Sequence, residues 1–384
     1  MANVFKVADI LISHVRQVHG NGIALVAYYG SHAIGKATPT SDLDLYYVLE
    51  DGRAGSAIIT FVLDDLPYDF EAKPWWVLEN IANAKAGYDW VVSASQIADA
   101  KILYSRSPAD LERFEALRGR IAELTRPEGR EFMVARALDE FQTTFSHLGQ
   151  MRLALACNDL PGLHLAGWQF TCRVANCLAL VNQTYFAKSW GANIPYLLEL
   201  PQKPADLEAL LNGILLPRSP AEEVEQADRL SMGLRKTLLE AQASLAKPCK
   251  PKEVFHDFYF DVHEYKAKVL SACQRGDAFT AGAAAFALQK YLCELMNKVE
   301  RGFYGEDFNL LGEYSAGYLA AGFPDLTAAV ARGDLAALAI LVQQLDDRVR
   351  EWFPAHEVEL KILEDEAALR RLLDQKDGPG VREG

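Results

Sequence analysis

The spacing of apolar residues changes along the chain and separates a mixed N-terminal region from a long helical one. Residues 4–18 carry apolar side chains at helical spacing, and residues 23–29 form the unbroken apolar run of a buried strand. Ser107 and Pro108 are typical of a helix start, and this helix is the last element predicted before residue 125. We therefore expect a first domain of helices and strands over residues 1–125. The other predicted elements of this domain are strands at 42–49, 58–63, 68–74 and 100–104, and a turn at 64–67.

Beyond residue 125 the apolar spacing is helical. Residues 246–252 contain two prolines and three lysines and are interpreted as a linker. After the linker, Cys273 and Cys293 repeat the spacing of Cys157 and Cys177. We therefore predict an all-α helical bundle over 126–247, its duplicate over 254–370, and a flexible tail over 371–384. The helices predicted in the first bundle lie at 132–157, 163–186, 205–215 and 221–245.

Length and composition limit the class of protein. The chain has 384 residues, of which 50% are hydrophobic, enough to form two or three domains with large cores. No apolar run approaches the ~20 residues that span a bilayer, and Asp9 interrupts the apolar N-terminal stretch, which argues against a secretory signal. The six cysteines lack metal-ligand spacing. We expect a cytoplasmic protein with no membrane segment and no structural zinc.

The charge of the chain bears on its partners. The formal net charge is −13, and no cluster of lysine and arginine forms a basic stripe. Because proteins that bind the phosphate backbone usually carry such a stripe, nucleic acid is not expected as a partner. An acidic surface suits a cationic or neutral small substrate, and it also serves solubility alone.

The residues between the first two predicted strands carry the clearest chemistry. Gly30 and Ser31 follow the strand at 23–29, and Asp42 and Asp44 begin the next strand. Because side chains alternate along a strand, the two aspartates share one face, where their carboxylates repel each other. A divalent cation removes this repulsion, and oxygen ligands favour magnesium or manganese over zinc. The Gly-Ser turn offers N–H groups and a hydroxyl to an anion, so the pattern indicates phosphoryl or nucleotidyl transfer.

This pattern resembles the signature of the nucleotidyltransferase superfamily that includes DNA polymerase beta. In that signature a Gly-Ser pair precedes an Asp-x-Asp on the next strand. The matching positions here are Gly30, Ser31, Asp42 and Asp44, and Ser41 fits the residue often found before the first aspartate. The resemblance implies an α/β (α+β) domain with a mixed sheet, Mg²⁺ or Mn²⁺ held by the aspartates, and ATP or another NTP as co-substrate.

The superfamily also requires a third carboxylate on a neighbouring strand. The predicted strand 68–74 alternates apolar and charged residues and is similar to the third-carboxylate strand of kanamycin nucleotidyltransferases. That similarity favours Asp69 as the third metal ligand, with Glu71 as the alternative. Lys36 in the loop and Lys73 on the strand are candidate contacts to the leaving pyrophosphate, although both are also explained as surface lysines.

In kanamycin nucleotidyltransferases a helical domain follows the catalytic one, and a carboxylate on a helix can act as general base. Asp139 and Glu140 occupy the corresponding place here, with Glu131 a weaker candidate. Because adjacent helical residues lie ~100° apart, we expect only one of the pair to face the cleft and favour Glu140. His147 and His164 lie on apolar helices and are expected to be core residues.

Two functions fit this sequence. The first is transfer of a nucleoside monophosphate, AMP in particular, from an NTP to a hydroxyl of a small molecule such as an aminoglycoside-like antibiotic. The second is a protein-directed nucleotidyltransferase, or a toxin–antitoxin-type interaction protein that docks through its helical bundles. Asp42, Asp44 and Asp69 favour catalysis over an inactive scaffold. A homodimer is compatible with the resemblance, since some relatives dimerise.

Overall fold

The computed structural model describes residues 4–50, 58–85, 89–187, 190–304 and 312–376. It divides into two compact units, Met1–Gln242 and Ala243–Gly384. In the segment predicted as a tail, residues 371–376 belong to a helix and residues 377–384 lie outside the described ranges. None of the described helices combines the length and the apolar character needed to cross a membrane.

The strands of the first unit form one mixed sheet. Within the described residues the sheet has five strands in the order β3-β4-β2-β1-β5. β2 and β4 are parallel, and every other neighbouring pair is antiparallel. The mixed sheet that the resemblance implied is therefore confirmed. The strands are β1 Ile23–Tyr29, β2 Leu43–Leu49, β3 Ile59–Leu63, β4 Leu66–Pro74 and β5 Lys101–Ser105.

The helices of the first unit surround the sheet and then continue as a helical region. Two 3₁₀ turns, Gly20–Gly22 and Pro127–Gly129, precede β1 and the long helix α7 respectively. The helices are α1 Val4–His19, α2 Gly30–Ala33, α3 Trp75–Ala82, α4 Trp90–Ser93, α5 Ser95–Ala98, α6 Pro108–Leu124, α7 Arg130–Ala156, α8 Leu160–Val181, α9 Trp190–Glu199, α10 Leu207–Leu215 and α11 Pro220–Leu245.

The two faces of the sheet have different environments because side chains alternate along β2. Leu43, Leu45 and Tyr47 point to the face that α1 covers, where they join one buried cluster with Val7 and Leu11. The intervening positions point to the opposite face, and there the Tyr46 hydroxyl donates a 2.8 Å hydrogen bond to the Gln96 carbonyl on α5. Asp44 precedes Tyr46 on this second face, so the candidate metal ligand lies away from α1.

The turn between β3 and β4 is shorter than the sequence predicted. Asp64 and Asp65 both have positive φ angles, 51° and 61°, and they alone connect the two strands. Leu66 and Pro67 already pair with β3 in the antiparallel ladder, so the prediction of a turn through Pro67 was wrong. Aspartate tolerates the left-handed region better than most residues, which allows this two-residue hairpin.

Helix α8 ends earlier than predicted. It stops at Val181 rather than continuing to residue 186, because Gln183 has a φ of 52° and cannot extend a right-handed helix. The Asn182 side chain donates to the Gln202 carbonyl at 2.8 Å. The Phe186 backbone N–H donates to the Val91 carbonyl at 2.7 Å. The segment after α8 is thus attached to α4 instead of forming another helical turn.

The second unit is helical and has its own core. Its buried residues include Phe255, Leu288, Val342 and Phe353. Like α8, its long helices α14 and α17 begin with an aspartate that accepts a backbone N–H three residues ahead. These similarities agree with the duplicated pattern in the sequence, and duplication stays a prediction. The elements are α12 Pro251–Val254, α13 Tyr259–Arg275, α14 Ala278–Arg301, a 3₁₀ turn Gly312–Tyr314, α15 Ala316–Ala320, α16 Thr327–Arg332, α17 Leu335–Ala355 and α18 Glu366–Lys376.

A buried charge cluster joins α13 to α17 in the second unit. Asp346 is 1% exposed and accepts hydrogen bonds from Lys266 at 2.7 Å, the Tyr259 hydroxyl at 3.1 Å and Arg350 at 3.2 Å. Burial alone would raise the pKa of Asp346, but Lys266, Tyr259 and Arg350 together outweigh it, so the pKa is lowered. A buried carboxylate with this many donors fixes how the two helices pack.

Candidate functional site

The sheet brings two of the predicted metal ligands together. Asp44 on β2 and Asp69 on β4 are directly paired in the parallel register, so their side chains point to the same face. Asp42 immediately precedes β2 and is exposed. On the other side of β2, Tyr29 at the end of β1 lies opposite Asp44. The start of β2 therefore lies between the Gly-Ser turn and the strand that carries the third acid.

Gly30 is required by the geometry at Asp44. Its φ angle is +71°, a conformation that favours glycine, and a Cβ placed on it would lie 2.2 Å from Asp44 Oδ2. From the sequence we expected this glycine to allow close approach of a bound anion. The structure adds a second reason, since the backbone of the turn already lies against the carboxylate of Asp44.

The carboxylates raise one another's proton affinity. The pKa of Asp44 is raised to about 6, first by burial and then by the charges of Asp42 and Asp69. The pKa of Asp69 is also raised, by burial and then by Glu71. Tyr29 responds in the same way, since burial and the charge of Asp44 raise the pKa of its phenol. The site is a concentration of negative charge that a cation would relieve.

The donor set fits a hard divalent cation. Carboxylate oxygens are the ligands that Mg²⁺ and Mn²⁺ prefer, and the raised pKa of Asp44 marks the place where positive charge is needed. In the described part of the chain, no three His, Cys, Asp or Glu side chains already converge tightly enough to form a metal centre. Asp42 is exposed and carries no strand constraint, so its side chain can turn towards Asp44 and Asp69.

Glu71, two residues beyond Asp69, and Lys73, four residues beyond it, neutralise each other. The Lys73 ammonium lies 2.7 Å from Glu71 Oε2, and Lys73 as a whole is only 8% exposed. The same ammonium lies 6.0 Å from the centre of the Tyr46 ring. Lys73 is therefore a buried lysine with a carboxylate partner, rather than the surface lysine that the sequence suggested as an explanation. This pairing gives Glu71 a structural role, while the choice of Asp69 as third ligand stays a prediction.

The loop residues predicted to contact the nucleotide differ in their surroundings. Ser31 Oγ is buried and has no hydrogen-bond partner among the described residues. The Lys36 backbone N–H donates to the Ser31 carbonyl at 2.9 Å, which folds the loop back onto the turn, while the Lys36 side chain is exposed. Ser41 Oγ accepts the Thr38 N–H at 2.8 Å and thus stabilises the loop before Asp42.

A polar cavity lies in the first unit between α4, α7 and α8. Its volume is about 530 Å³. Asp139 and Glu140 both line it, contrary to the expectation that only one of them would face the cleft, although Glu140 is far less exposed. Glu140 Oε1 accepts hydrogen bonds from Asn176 at 2.9 Å and Arg173 at 3.0 Å. The lining residues are Asp89, Trp90, Val91, Arg136, Asp139, Glu140, Thr143, Ser146, His147, Arg173, Asn176 and Leu180.

The other candidates from the first bundle lie in different surroundings, and the two histidines are not core residues as predicted. Glu131 is exposed. His147 borders the polar cavity instead of lying in the core. His164 has a 54% exposed side chain, and its Nδ1 lies 2.7 Å from Oε2 of the buried Glu223. Both histidines were placed in the core from the apolar character of their helices, which does not determine the contacts of a single polar position.

Three polar residues of the cavity were missed by the sequence analysis. Asn176 Nδ2 donates to Glu140 and also lies 3.4 Å from Asp89 Oδ2. The pKa of Asp89 is raised mainly by burial, with the charge of Glu140 adding to the effect and Asn176 opposing it. Arg173 is paired with Glu140. None of these residues belongs to a recognisable local motif, since each depends on a partner far away in the sequence.

The raised pKa of Asp44 predicts that the metal-free protein loses stability as the pH rises. An acid with a higher pKa in the folded state stabilises the fold fully below ~4, its unfolded pKa, and this contribution is lost as the pH rises through about 6. After allowance for solvent screening, we expect the free energy of unfolding to fall by about 1–2 kcal/mol between pH 4 and pH 7. Asp44→Asn should abolish this fall. Urea unfolding in EDTA between pH 4 and pH 7 measures it.

Asp65→Asn is the matched control, since it removes a carboxylate from the β3–β4 turn and should keep the wild-type pH dependence. Magnesium added at pH 7 should restore stability to the wild type more than to Asp44→Asn. Parallel pH curves for the wild type and Asp44→Asn would contradict the prediction.

Comparison with known proteins bears on the helical region that follows the sheet. Residues 111–236, which span most of α6 to α11, match the family model of the kanamycin nucleotidyltransferase C-terminal domain. Among curated proteins no match is found. The solved structure of a nucleotidyltransferase-like protein from Exiguobacterium sibiricum 255-15 is 15% identical, covers 86% of this chain and 87% of its own, and has a TM-score of 0.35, too low to support a conclusion. The resemblance is thus confirmed: the chain is a nucleotidyltransferase-type enzyme whose helical domain is similar to that of kanamycin nucleotidyltransferase.

Proposed function

We propose that this nucleotidyltransferase moves a nucleoside monophosphate, AMP from ATP in particular, to a hydroxyl of a small molecule such as an aminoglycoside-like antibiotic. The observation that carries the proposal is the pairing of Asp44 with Asp69 across two parallel strands, directly beside the turn at Gly30 and Ser31. That arrangement supports the proposal, because carboxylates are suited to a cation and the N–H groups of a Gly-Ser turn are suited to a phosphate.

Asp42, Asp44 and Asp69 would hold Mg²⁺ or Mn²⁺. When bound, the cation supplies charge neutralisation for the triphosphate and makes the acceptor hydroxyl more acidic. The residues of the loop bind the nucleotide. Gly30 offers backbone N–H contacts, and the Ser31 hydroxyl, which lacks a protein partner in the described structure, is free to donate to a phosphate oxygen.

Lys36 and Ser41 contribute differently to nucleotide binding. The exposed Lys36 ammonium would meet the leaving pyrophosphate. Ser41 would act indirectly, by maintaining the conformation of the loop, because its hydroxyl already accepts a hydrogen bond from the Thr38 N–H. Nucleotidyl transfer depends on such positioning and charge stabilisation more than on covalent help from the protein.

Glu140 would act as the general base. The acceptor oxygen forms a bond to the α-phosphorus, the bond to pyrophosphate breaks, and the proton of the acceptor hydroxyl passes to the Glu140 carboxylate. Arg173 and Asn176 hold one oxygen of Glu140, which fixes the orientation of the carboxylate at the cavity. A cavity of about 530 Å³ has room for a ring-sized acceptor, and this supports a small acceptor over a protein.

Pyrophosphate release tests this function. The purified protein is incubated with each magnesium-NTP and a panel of aminoglycosides and lincosamides. Release that depends on both the NTP and a small acceptor supports the proposal. If no small acceptor is used and a protein becomes labelled by the NTP instead, the protein-directed function replaces it.

Asp42→Asn should reduce kcat/KM for the best acceptor at least about 100-fold, because a metal ligand stabilises the transition state by more than ~2.7 kcal/mol. Asp65→Asn, in the β3–β4 turn at the opposite end of β4 from Lys73, removes a carboxylate that is not a proposed ligand and should retain wild-type activity. Steady-state kinetics at saturating magnesium measures both. A variant at Asp42 that keeps more than about a tenth of the rate has lost only ~1.4 kcal/mol, too little for a metal ligand.

Asp69→Asn and Glu71→Gln should differ sharply. Asp69 is paired with Asp44, so its loss should remove activity, whereas Glu71 is occupied by Lys73 and its change should be nearly silent in kcat. Glu71→Gln should instead lower the thermal midpoint, because Lys73 keeps a largely buried charge without its partner. Steady-state kinetics and thermal unfolding of both variants show which of the two carboxylates is the third metal ligand. The reverse ranking in kcat would assign that role to Glu71.

Glu140→Gln should lower kcat by about 10²–10³-fold, the usual contribution of a general base, and leave NTP affinity unchanged. Asp139→Asn is the matched control, since Asp139 lines the same cavity but is paired with Arg136 at 3.3 Å. Single-turnover kinetics and equilibrium NTP binding separate the two effects. Equal loss of kcat in both variants would assign the role to the charge of the cavity rather than to Glu140.

A further inference from the structure

Glu223, on α11, is a buried carboxylate that the proposed reaction does not use. It is 1% exposed, and its Oε2 lies 2.7 Å from Nδ1 of His164 on α8. Burial raises the pKa of Glu223, and the hydrogen bond and charge of His164 oppose this rise without cancelling it. No lysine or arginine within the described ranges forms an ion pair with Glu223. The carboxylate therefore depends on a single histidine for its stabilisation.

The backbone of α8 makes room for this carboxylate at Gly167. A Cβ placed on Gly167 would lie 2.5 Å from Glu223 Oε1, so a larger residue would displace the acid. Glycine inside a helix and a poorly compensated buried carboxylate both cost stability. The equally buried Asp346 accepts from three side chains and fixes the packing of two helices. Glu223 has one such donor, and that donor is half exposed, which argues for a role in binding rather than in packing.

A cavity of about 480 Å³ opens beside His164 and Glu223, within the first unit. This volume lies in the range of sites for small ligands. No lysine or arginine belongs to its lining, and it shares no residue with the polar cavity that Glu140 lines. Apart from the histidine and the glutamate, the lining is apolar or aromatic and consists of Trp168, Ile214, Leu215 and Pro217. The cavity thus offers one polar pair among walls suited to a ring.

The polarity of His164 is set by Glu223. An ionised carboxylate can only accept, so the Nδ1 of the neutral imidazole donates to Glu223 and its Nε2 is left as an acceptor. The His164 side chain is 54% exposed, and the described structure gives its Nε2 no hydrogen-bond partner. A ligand that contacts this nitrogen must therefore donate. Because the cavity holds one carboxylate and no lysine or arginine, it disfavours an anion.

We propose that His164, Glu223 and Trp168 form a binding site for a small neutral phenol. The phenol hydroxyl donates to His164 Nε2, and Glu223 keeps the imidazole in the accepting tautomer. The ring of the ligand lies among the apolar walls, where the Trp168 indole favours an aromatic partner over an aliphatic one. The site is independent of the proposed nucleotidyl transfer, since none of its residues takes part in that reaction.

The imidazole nitrogens of the protein give a direct test. The chain has eight histidines, and His164→Gln identifies the His164 signals in a long-range ¹H–¹⁵N correlation spectrum of the full-length protein at pH 8. The protein is titrated with p-cresol, with toluene, which lacks the hydroxyl, and with 4-methylbenzoate, which is an anion. We expect p-cresol to shift the Nε2 signal of His164, toluene to bind about 3–10-fold more weakly for want of one hydrogen bond, and 4-methylbenzoate at least about tenfold more weakly.

Three variants separate the contributions. Trp168→Leu should weaken p-cresol and toluene by the same factor, because it changes only the wall that contacts the ring. Glu223→Gln should reduce the discrimination against 4-methylbenzoate, since it removes the fixed negative charge. His147→Gln is the matched control, because this histidine belongs to the same helical region but lines the polar cavity, and it should keep the wild-type affinity for p-cresol.

Four results would overturn the site. They are a His164 signal that does not move at saturating p-cresol, equal affinities for p-cresol and toluene, equal affinities for p-cresol and 4-methylbenzoate, and loss of p-cresol binding in His147→Gln but not in His164→Gln. His164→Gln changes a half-exposed side chain, so a thermal midpoint near that of the wild type is expected and shows that any loss of binding is local.

Discussion

The repulsion among the carboxylates of Asp42, Asp44 and Asp69 is the constraint on which the first unit depends. The parallel pairing of β2 with β4 sets Asp44 beside Asp69. Burial raises the pKa of both carboxyls and neighbouring carboxylates raise it further, so the sheet carries an unfavourable charge in the metal-free protein. The apolar side of β2, with Leu43, Leu45 and others packed against α1, offsets this cost by burial. Alternate residues of β2 therefore have opposite effects on stability: Asp44 contributes charge repulsion on one face, and Leu43 and Leu45 contribute packing against α1 on the other.

Helices on the second face of the sheet connect this charge site to the polar cavity. Tyr46 follows Asp44 on that face and is hydrogen-bonded to α5. The segment after α8 is attached to α4 through the bond from Phe186 to Val91. The cavity is therefore built from both the region that carries the sheet and the bundle that matches the kanamycin nucleotidyltransferase domain. Such a junction suits a reaction between a nucleotide and a second substrate.

The sequence was informative where function depends on neighbours along the chain. Gly30 and Asp44 could be recognised because a turn, a loop and a strand follow one another in a fixed order, and the mixed sheet followed from the resemblance. Asn176 could not be recognised, because its importance comes from Glu140 and Asp89, which lie on other elements. The end of α8 was missed for the same reason, since the backbone of Phe186 pairs with α4 instead of with its own helix.

The contact between the Gly30 backbone and Asp44 has a thermodynamic consequence. The same carboxylate oxygen that would ligate a cation lies against the turn that would bind the triphosphate, so a movement of Asp44 towards either ligand changes the space available to the other. Two ligands that act on one contact are energetically coupled, and linkage requires the coupling to be reciprocal. Substituting Gly30 would therefore alter the affinity for the cation, even though glycine has no side chain that could bind it.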